Sequence, residues 1–311
     1  MPGEKESWRH RIEFRGLQLL LLLVRVLPET ILHRVLRGLV FFFAGLSGRY
    51  HKILRNNLSL AFPEMNAARR RHLARRIYRH FSLLLADNLL KLSGREPRLK
   101  RPLNISGLNH LEAALSRGRG VILYSAHFGN WEMIPSILAE KTGRRITNIA
   151  RPMDNPLVEK LVSSFRNHPG TAIVYKKNAL RVILECLKNN EMVGVLIDQN
   201  TVPREALFVD FFGRPATVNP VMAQLSLKKN IPLLSAFLHY EDAGAVSLEI
   251  GTETNLNAFS GTEGLQNLLQ EMTSRIEEKI RRHPEQWLWF HNRWKTKPQG
   301  DKNALRQPGR A

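Results

Sequence analysis

The chain has 311 residues, with 47 Lys and Arg against 27 Asp and Glu, a formal net charge of +20 and 43% apolar side chains. At roughly 100–200 residues per domain it can hold one large α/β domain with a terminal appendage, or two small domains, and its apolar content excludes both a disordered basic tail and a polytopic transporter. The charge calls for anionic partners (nucleic acid, membrane phospholipid or a phosphorylated substrate), while a single cysteine, Cys186, excludes an internal disulfide and a multi-cysteine zinc site.

The basic excess is concentrated at the start, where residues 1–101 hold 21 Lys or Arg and 7 Asp or Glu, against 26 and 20 in residues 102–311. Leu17–Val24 follows Arg9, Arg11 and Arg15, a signal-like order, but Arg25, Pro28 and Glu29 come next instead of a small-residue cleavage site. A second apolar run spans Gly38–Leu46. Each run falls short of the ~20 residues that cross a bilayer. Helices lying in or dipping into the cytoplasmic leaflet are the preferred expectation. A tilted single span starting near Phe14 with Arg25 snorkelling, and a buried soluble helical pair, are the alternatives.

Asn66–Ser93 reads as an amphipathic helix. Leu73, Ile77, Phe81, Leu84 and Leu85 recur at helical spacing, and Arg69, Arg71, Arg75, Arg76 and Arg79 fall largely on the other side, suited to anionic lipid or simply to water. From Gly107 onward short apolar runs alternate with helical patterns. Strands are expected at Gly120–Ser125, Ile146–Ala150, Thr171–Tyr175, Met192–Ile197, Ile231–His239 and Ala245–Ile250. Helices are expected at Trp131–Lys141, Asn155–Asn167, Ala179–Asn189, Asn219–Lys229 and Glu263–Arg282. That alternation predicts an α/β fold with a largely parallel central sheet flanked by helices. The expected organisation is an N-terminal membrane-associated helical segment over 1–101, the α/β domain over 102–297 and a polar tail over 298–311.

Chemistry belongs where a strand ends and a helix begins. After Gly120–Ser125 the chain reads Ala126-His127-Phe128-Gly129-Asn130-Trp131-Glu132, placing a histidine in the turn and a carboxylate about one helical turn later. A histidine can take a proton from an alcohol at neutral pH once a partner fixes its tautomer, and Glu132 could accept the other ring N–H. Gly129 would allow close backbone approach, and the N–H groups from Gly129 and Asn130 into the helix could bind an oxyanion or a phosphate. Asp198 also ends a strand and is the alternative partner for His127.

His-Phe-Gly-Asn-Trp-Glu after a buried strand resembles the H-x4-D/E motif of the lysophospholipid acyltransferase superfamily, and most of all the bacterial late lipid A acyltransferases, the lauroyl and myristoyl transferases. The resemblance continues through Asn57-Leu58 and Phe62-Pro63-Glu64, Arg151-Pro152-Met153-Asp154-Asn155-Pro156, Leu196-Ile197-Asp198-Gln199-Asn200, the block Phe208 to Thr217, and His283-Pro284-Glu285-Gln286-Trp287 with His291-Asn292-Arg293-Trp294-Lys295. Some actinobacterial mannolipid acyltransferases are similar around the histidine. The resemblance implies transfer of a fatty acyl chain from a thioester, on acyl carrier protein or coenzyme A, to a hydroxyl of an anionic membrane lipid such as a lipid A precursor, at the cytoplasmic face of the bacterial inner membrane. His127 would be the general base and Glu132 its partner, with Arg151 holding acceptor phosphate or the oxyanion.

Other roles follow less directly. Phe208, Phe211 and Phe212 could line an acyl groove or belong to the core, and Arg293 is a further candidate for substrate or oxyanion binding among tryptophans that could form a belt or a packed cap. No G-x-S-x-G elbow, phosphate-binding loop, H-E-x-x-H pair or dinucleotide turn occurs, so neither metal nor cofactor is expected. Cys186, inside a helical pattern, is read as packing. The rival readings are an acyltransferase for another phosphoglycolipid, a non-catalytic membrane-surface protein and a nucleic-acid binder; no zinc finger, RNP pattern or basic zipper supports the last, and nucleic acid is not expected as a partner.

Overall fold

The β-branched runs of the second half become strands, and their order in space differs from their order in the chain. A computed structural model describes residues 7–95, 101–175, 179–242 and 244–298; of the expected polar tail, everything from 299 on lies outside the described residues. The strands are β1 (Leu103–Ser106), β2 (Val121–Ser125), β3 (Ile146–Ala150), β4 (Thr171–Tyr175), β5 (Met192–Leu196), β6 (Leu207–Asp210), β7 (Pro215–Val218), β8 (Leu233–Tyr240) and β9 (Val246–Ile250). Seven form one sheet in the order β1-β9-β8-β2-β5-β3-β4, and β6 and β7 form a separate antiparallel ribbon. Within the large sheet every neighbouring pair is parallel except β8 and β9. The expected α/β class with a largely parallel sheet is what forms.

A parallel sheet needs cover on both faces, and β2, buried along its whole length, has it. Its side chains alternate between two layers: Ile122 and Tyr124 join one core, Val121 and Leu123 the other. The second layer comes from α5 (Leu108–Leu115) and α6 (Ile134–Thr142), with Leu111, Leu115, Ile137 and Leu138 turned inward. The first is larger. It takes Ile183 and Leu187 from α8 (Ala179–Lys188), Met222 from α9 (Val221–Lys229), and Leu268, Leu269, Met272 and Ile276 from α10 (Gly264–Arg282).

Two N-terminal helices complete that first layer. From α3 (Gly48–Ala61) come Leu54 and Leu58, and from α4 (Ala67–Leu92) come Leu73 and Ile77. The Asn66 side chain caps α4 by accepting from Arg69 N–H at 2.9 Å, which fixes the start of the helix read from sequence. Arg69, Arg71, Arg75, Arg76 and Arg79 are exposed on its outer side.

Ahead of them, α1 (Trp8–Val26) and α2 (Glu29–Leu46) pack Leu21, Val24, Leu32 and Leu36 against Ala86, Leu89 and Leu90 of α4. Their outer faces carry apolar residues into the open: Leu19 and Leu22 on α1, Phe42, Phe43 and Leu46 on α2, each more than half exposed. Among the described residues no single helix is long and apolar enough to cross a membrane; α2 and α3 pass by length and composition only as a pair bent by 89°. Arg25, which the tilted-span alternative would have snorkel, donates its Nε to the Ser93 carbonyl at 2.7 Å. Arg95 in turn donates to the Val24 carbonyl at 2.9 Å, so the end of α1 is tied to the end of α4.

Candidate active site

Register creates the site. β2 and β5 are parallel neighbours with Ser125 opposite Leu196, so two residues further along each strand bring His127 beside Asp198. His127 Nδ1 lies 2.8 Å from Asp198 Oδ1, and the His127 backbone N–H donates to Asp198 Oδ2 at 2.9 Å. The indole N–H of Trp287 donates to that same Oδ2 at 2.7 Å. Asp198 is 3% exposed. Burial alone would raise its carboxyl, but the facing imidazole and the three N–H groups outweigh it and hold the pKa down to about 2. An ionised Asp198 requires a proton on Nδ1, which leaves the Nε2 lone pair of a neutral imidazole for chemistry. The His127 side chain is 19% exposed and meets Trp131 edge to face at 5.0 Å between ring centres.

The turn that carries His127 is clamped by the end of the chain. Residues 286–288 lie antiparallel to it: Gly129 N–H donates to the Gln286 carbonyl at 2.9 Å and Leu288 N–H to the His127 carbonyl at 2.9 Å. This strap is fixed elsewhere by Asn57, whose amide donates to the carbonyls of Trp289 at 2.8 Å and His291 at 2.7 Å. Gly129 adopts φ +56°, and a Cβ there would come within 1.7 Å of the Leu238 carbonyl oxygen, so no other residue fits.

Several sequence expectations change here. Glu132 does not reach His127. It forms a bidentate pair with Arg166 at the end of α7 (Pro156–Arg166), with Arg166 Nε 3.0 Å from Oε2, because the chain enters a 3-10 turn over Trp131–Met133 before α6 begins. The imidazole partner is the alternative, Asp198. Gly129 has its N–H committed to Gln286 and offers no oxyanion donor. Asn130 is fully buried, giving its amide to Tyr240 Oη at 3.0 Å and accepting from Asn88 at 3.2 Å, so its side chain pins the turn to α4 and β8.

Arg293 is likewise withdrawn from substrate. It is 1% exposed, donates to the Thr217 carbonyl at 2.5 Å and lies over the Phe211 ring; burial lowers its pKa to about 10. Phe211 and Phe212 are core residues packed with Trp287, Trp289 and Trp294, which settles groove against core for those two. Phe208, on β6, is half-buried. Arg151, just past the end of β3, is open to solvent, its side chain 84% exposed and paired with Asp154 at 3.5 Å. The Cys186 thiol is buried and held above its usual pKa by that burial.

Sequence reasoning missed Arg166, Trp287 as a donor to Asp198, and Gln199, whose Nε2 lies 3.1 Å from His127 Nε2. Gln199 and Trp287 stand inside blocks that carried the family resemblance; Arg166 had no signal beyond its place at a helix end. Among the described residues no group of His, Cys, Asp and Glu is disposed to hold a metal ion.

Residues 2–296 match the family model for bacterial lipid A biosynthesis acyltransferase. The chain is similar to the lipid A biosynthesis palmitoleoyltransferase of Escherichia coli K12, 27% identical over 262 residues and 81% of each chain. It is 26% identical to the lauroyltransferase of the same organism over 298 residues and 94% of each. A phosphatidylinositol mannoside acyltransferase of Mycobacterium tuberculosis H37Rv is 27% identical over 194 residues, 61% of this chain and 59% of that one. The crystal structure of the 1-acyl-sn-glycerophosphate acyltransferase of Thermotoga maritima aligns with 81% of this chain and 98% of its own, at TM-score 0.36 and 17% identity. A match over nearly the whole chain carries the assignment: this protein belongs to the bacterial lipid A biosynthesis acyltransferase family and is an acyltransferase.

Proposed function

We propose that the protein moves a fatty acyl chain from a thioester of acyl carrier protein or coenzyme A to a hydroxyl of an anionic glycolipid such as a lipid A precursor, with His127 as general base. The observation that supports this reading is the His127–Asp198 pair at the ends of adjacent parallel strands, with an imidazole nitrogen facing outward. The acceptor hydroxyl gives its proton to Nε2 while its oxygen adds to the thioester carbonyl. Asp198 stabilises the imidazolium, the tetrahedral intermediate breaks its C–S bond, and the thiolate leaves with the proton His127 held. No protein nucleophile is needed, in keeping with a buried Cys186 thiol.

In this reading Arg151 attracts the acceptor's anionic group, and the Glu132–Arg166 pair shapes the wall of the site. Of the segment 1–101, α1 and α2 serve as the membrane-facing part, while α3 and α4 pack with the α/β domain that runs over 102–297. The outward apolar faces of α1 and α2 rest in the interface at the cytoplasmic side of the bacterial inner membrane, next to the arginines of α4. The test offers a lipid A precursor and a phosphatidylinositol mannoside to purified full-length protein with acyl-carrier and coenzyme A thioesters, and follows product by mass spectrometry. Acyl transfer to the lipid A precursor that disappears in folded His127→Ala is the expected result. Turnover that survives the substitution overturns the base assignment, and preference for the mannolipid overturns the acceptor.

A further inference from the structure

The reactive nitrogen of His127 is already occupied. With Nδ1–H given to Asp198, Nε2 is an acceptor, and the atom beside it is the amide nitrogen of Gln199 at 3.1 Å, so Gln199 donates into the lone pair that must take the acceptor proton. Gln199 is exposed at its side chain and tied at its main chain. Arg293 Nη1 reaches its carbonyl at 3.4 Å, and the next residue donates N–H to His291 Nε2 at 3.2 Å. Asn200 Oδ1 is held as well, by Thr296 N–H at 3.2 Å. The backbone at 199 therefore stays where it is while the amide can swing away about its own torsions.

We propose that Gln199 is a specificity-determining residue that caps His127 against water and yields to the acceptor hydroxyl; the proposal rests on His127 being the base. Both water and acceptor must displace the same N–H before either can give a proton to Nε2. Water replaces that hydrogen bond with one of its own and brings nothing more. An acceptor lipid brings the rest of its binding contacts, which offset the displacement. The reaction suppressed is hydrolysis of the donor. Water's proton passes to Nε2, its oxygen adds to the thioester carbonyl, the C–S bond breaks, and the thiolate takes the proton to give fatty acid and free thiol. In productive transfer the acceptor oxygen takes the place of water and the product is the ester.

The experiment uses full-length protein with lauroyl thioester on coenzyme A or acyl carrier protein, whichever the wild type turns over. Thiol release is measured without acceptor (hydrolysis) and ester formation with a saturating detergent-dispersed lipid A precursor (transfer). Binding of that acceptor has already displaced the amide, so removing the N–H speeds hydrolysis and leaves the transfer rate of bound acceptor in place. Gln199→Ala and Gln199→Met both lack the donor, and the second keeps the length. Both variants should raise the ratio of hydrolysis to transfer by roughly threefold to tenfold, the worth of one neutral hydrogen bond. A structural lesion at this loop lowers both rates together and leaves the ratio unmoved, and that outcome overturns the cap. So does a Gln199→Met protein that keeps the wild-type ratio, since bulk and not the N–H would then exclude water. His127→Ala is the control: if it abolishes both reactions, failure of the Gln199 variants counts against the cap alone, whereas if it abolishes neither, the base assignment falls and the cap with it.

Discussion

Asp198 Oδ1 and His127 Nδ1 lie 2.8 Å apart although 71 residues separate them in the chain, and the two meet because β5 is the immediate parallel neighbour of β2. The separation explains why a carboxylate five residues after the histidine, visible in the motif itself, is not the one that orients the ring. Glu132 lies past a 3-10 turn and is drawn to Arg166.

Asp198→Asn should therefore be a severe lesion in a folded protein. The amide can still accept from Nδ1 but supplies no charge to stabilise the imidazolium, and transfer should fall by roughly 10²–10⁴-fold, the range of general acid–base assistance. Steady-state transfer assays with circular dichroism as a folding control decide this. A loss below about threefold would remove Asp198 from the mechanism.

Glu132 and Arg166 should behave as one unit. Glu132→Gln and Arg166→Met each break the same bidentate pair, so each should lower transfer by a similar factor and the double variant should be little worse than either single one. Independent, multiplying losses would mean that one of the two meets substrate on its own account. The double-mutant cycle reads this directly.

Trp287→Phe keeps an aromatic ring in the core but trims the buried indole and deletes the N–H that reaches Asp198 Oδ2. The sign of its pH effect follows from the depressed carboxyl. Asp198 titrates near 2 in the folded chain against about 4 unfolded, so its contribution, on the order of 2 kcal/mol, is complete above pH 4 and is lost as pH falls towards 2. Without the indole donor the folded pKa rises. The variant should be less stable at neutral pH by about 1.5–3 kcal/mol, the scale of a hydrogen bond to a charged group, and it should gain less from the climb between pH 2 and pH 4 than the wild type does. Denaturant unfolding across pH 2–7 measures both, and parallel curves with equal midpoints would contradict the indole's role.

What could be read from the residues was local. The strand ending at Ser125, the turn holding His127 and the capped helix from Asn66 follow from apolar runs, glycine and capping chemistry within a few residues. Asp198 was recognisable as a strand-end carboxylate, but strand order is a property of the whole sheet, and no periodicity tells that β5 lies against β2. The return of residues 286–288 to the turn is long-range in the same way, and so is the burial of Arg293 under Thr217. β1, β6 and β7 escaped notice because four residues are too few to establish an alternation, and β1 is mostly exposed.

Gly129→Ala tests the clamp. The new Cβ would have to occupy space 1.7 Å from the Leu238 carbonyl oxygen, at φ +56° where side chains are already disfavoured. Because the turn is held between β8 on one side and the strap on the other, relief requires moving one of them. A loss of at least about 3 kcal/mol is expected, seen as a lower unfolding midpoint or failure to accumulate. An alanine protein as stable as the wild type would show that β8 does not lie against the turn.

The membrane-facing role proposed for α1 and α2 calls for point changes, because deleting both helices would uncover Ala86, Leu89 and Leu90 of α4 and confuse detachment with misfolding. Leu19, Leu22, Phe42, Phe43 and Leu46 contribute little to that packing and present their side chains outward. Burying a Leu or Phe side chain is worth about 1.5–3 kcal/mol each, whereas the attraction of Arg71, Arg75 and Arg79 to anionic lipid is screened over a Debye length of about 8 Å at physiological ionic strength. Apolar contact should thus outlast salt, and charge should not. Leu19→Ser, Leu22→Ser, Phe42→Ser and Phe43→Ser combined should leave thermal stability close to that of the wild type and let anionic vesicles release the protein in high salt. Reversing the three arginines to glutamate should weaken vesicle binding at low salt while detergent remains necessary for extraction. Vesicle co-sedimentation across a salt series distinguishes the two terms, and a quadruple serine variant that stays with the lipid in high salt, unaggregated by light scattering, would put the anchoring surface somewhere other than these two helices.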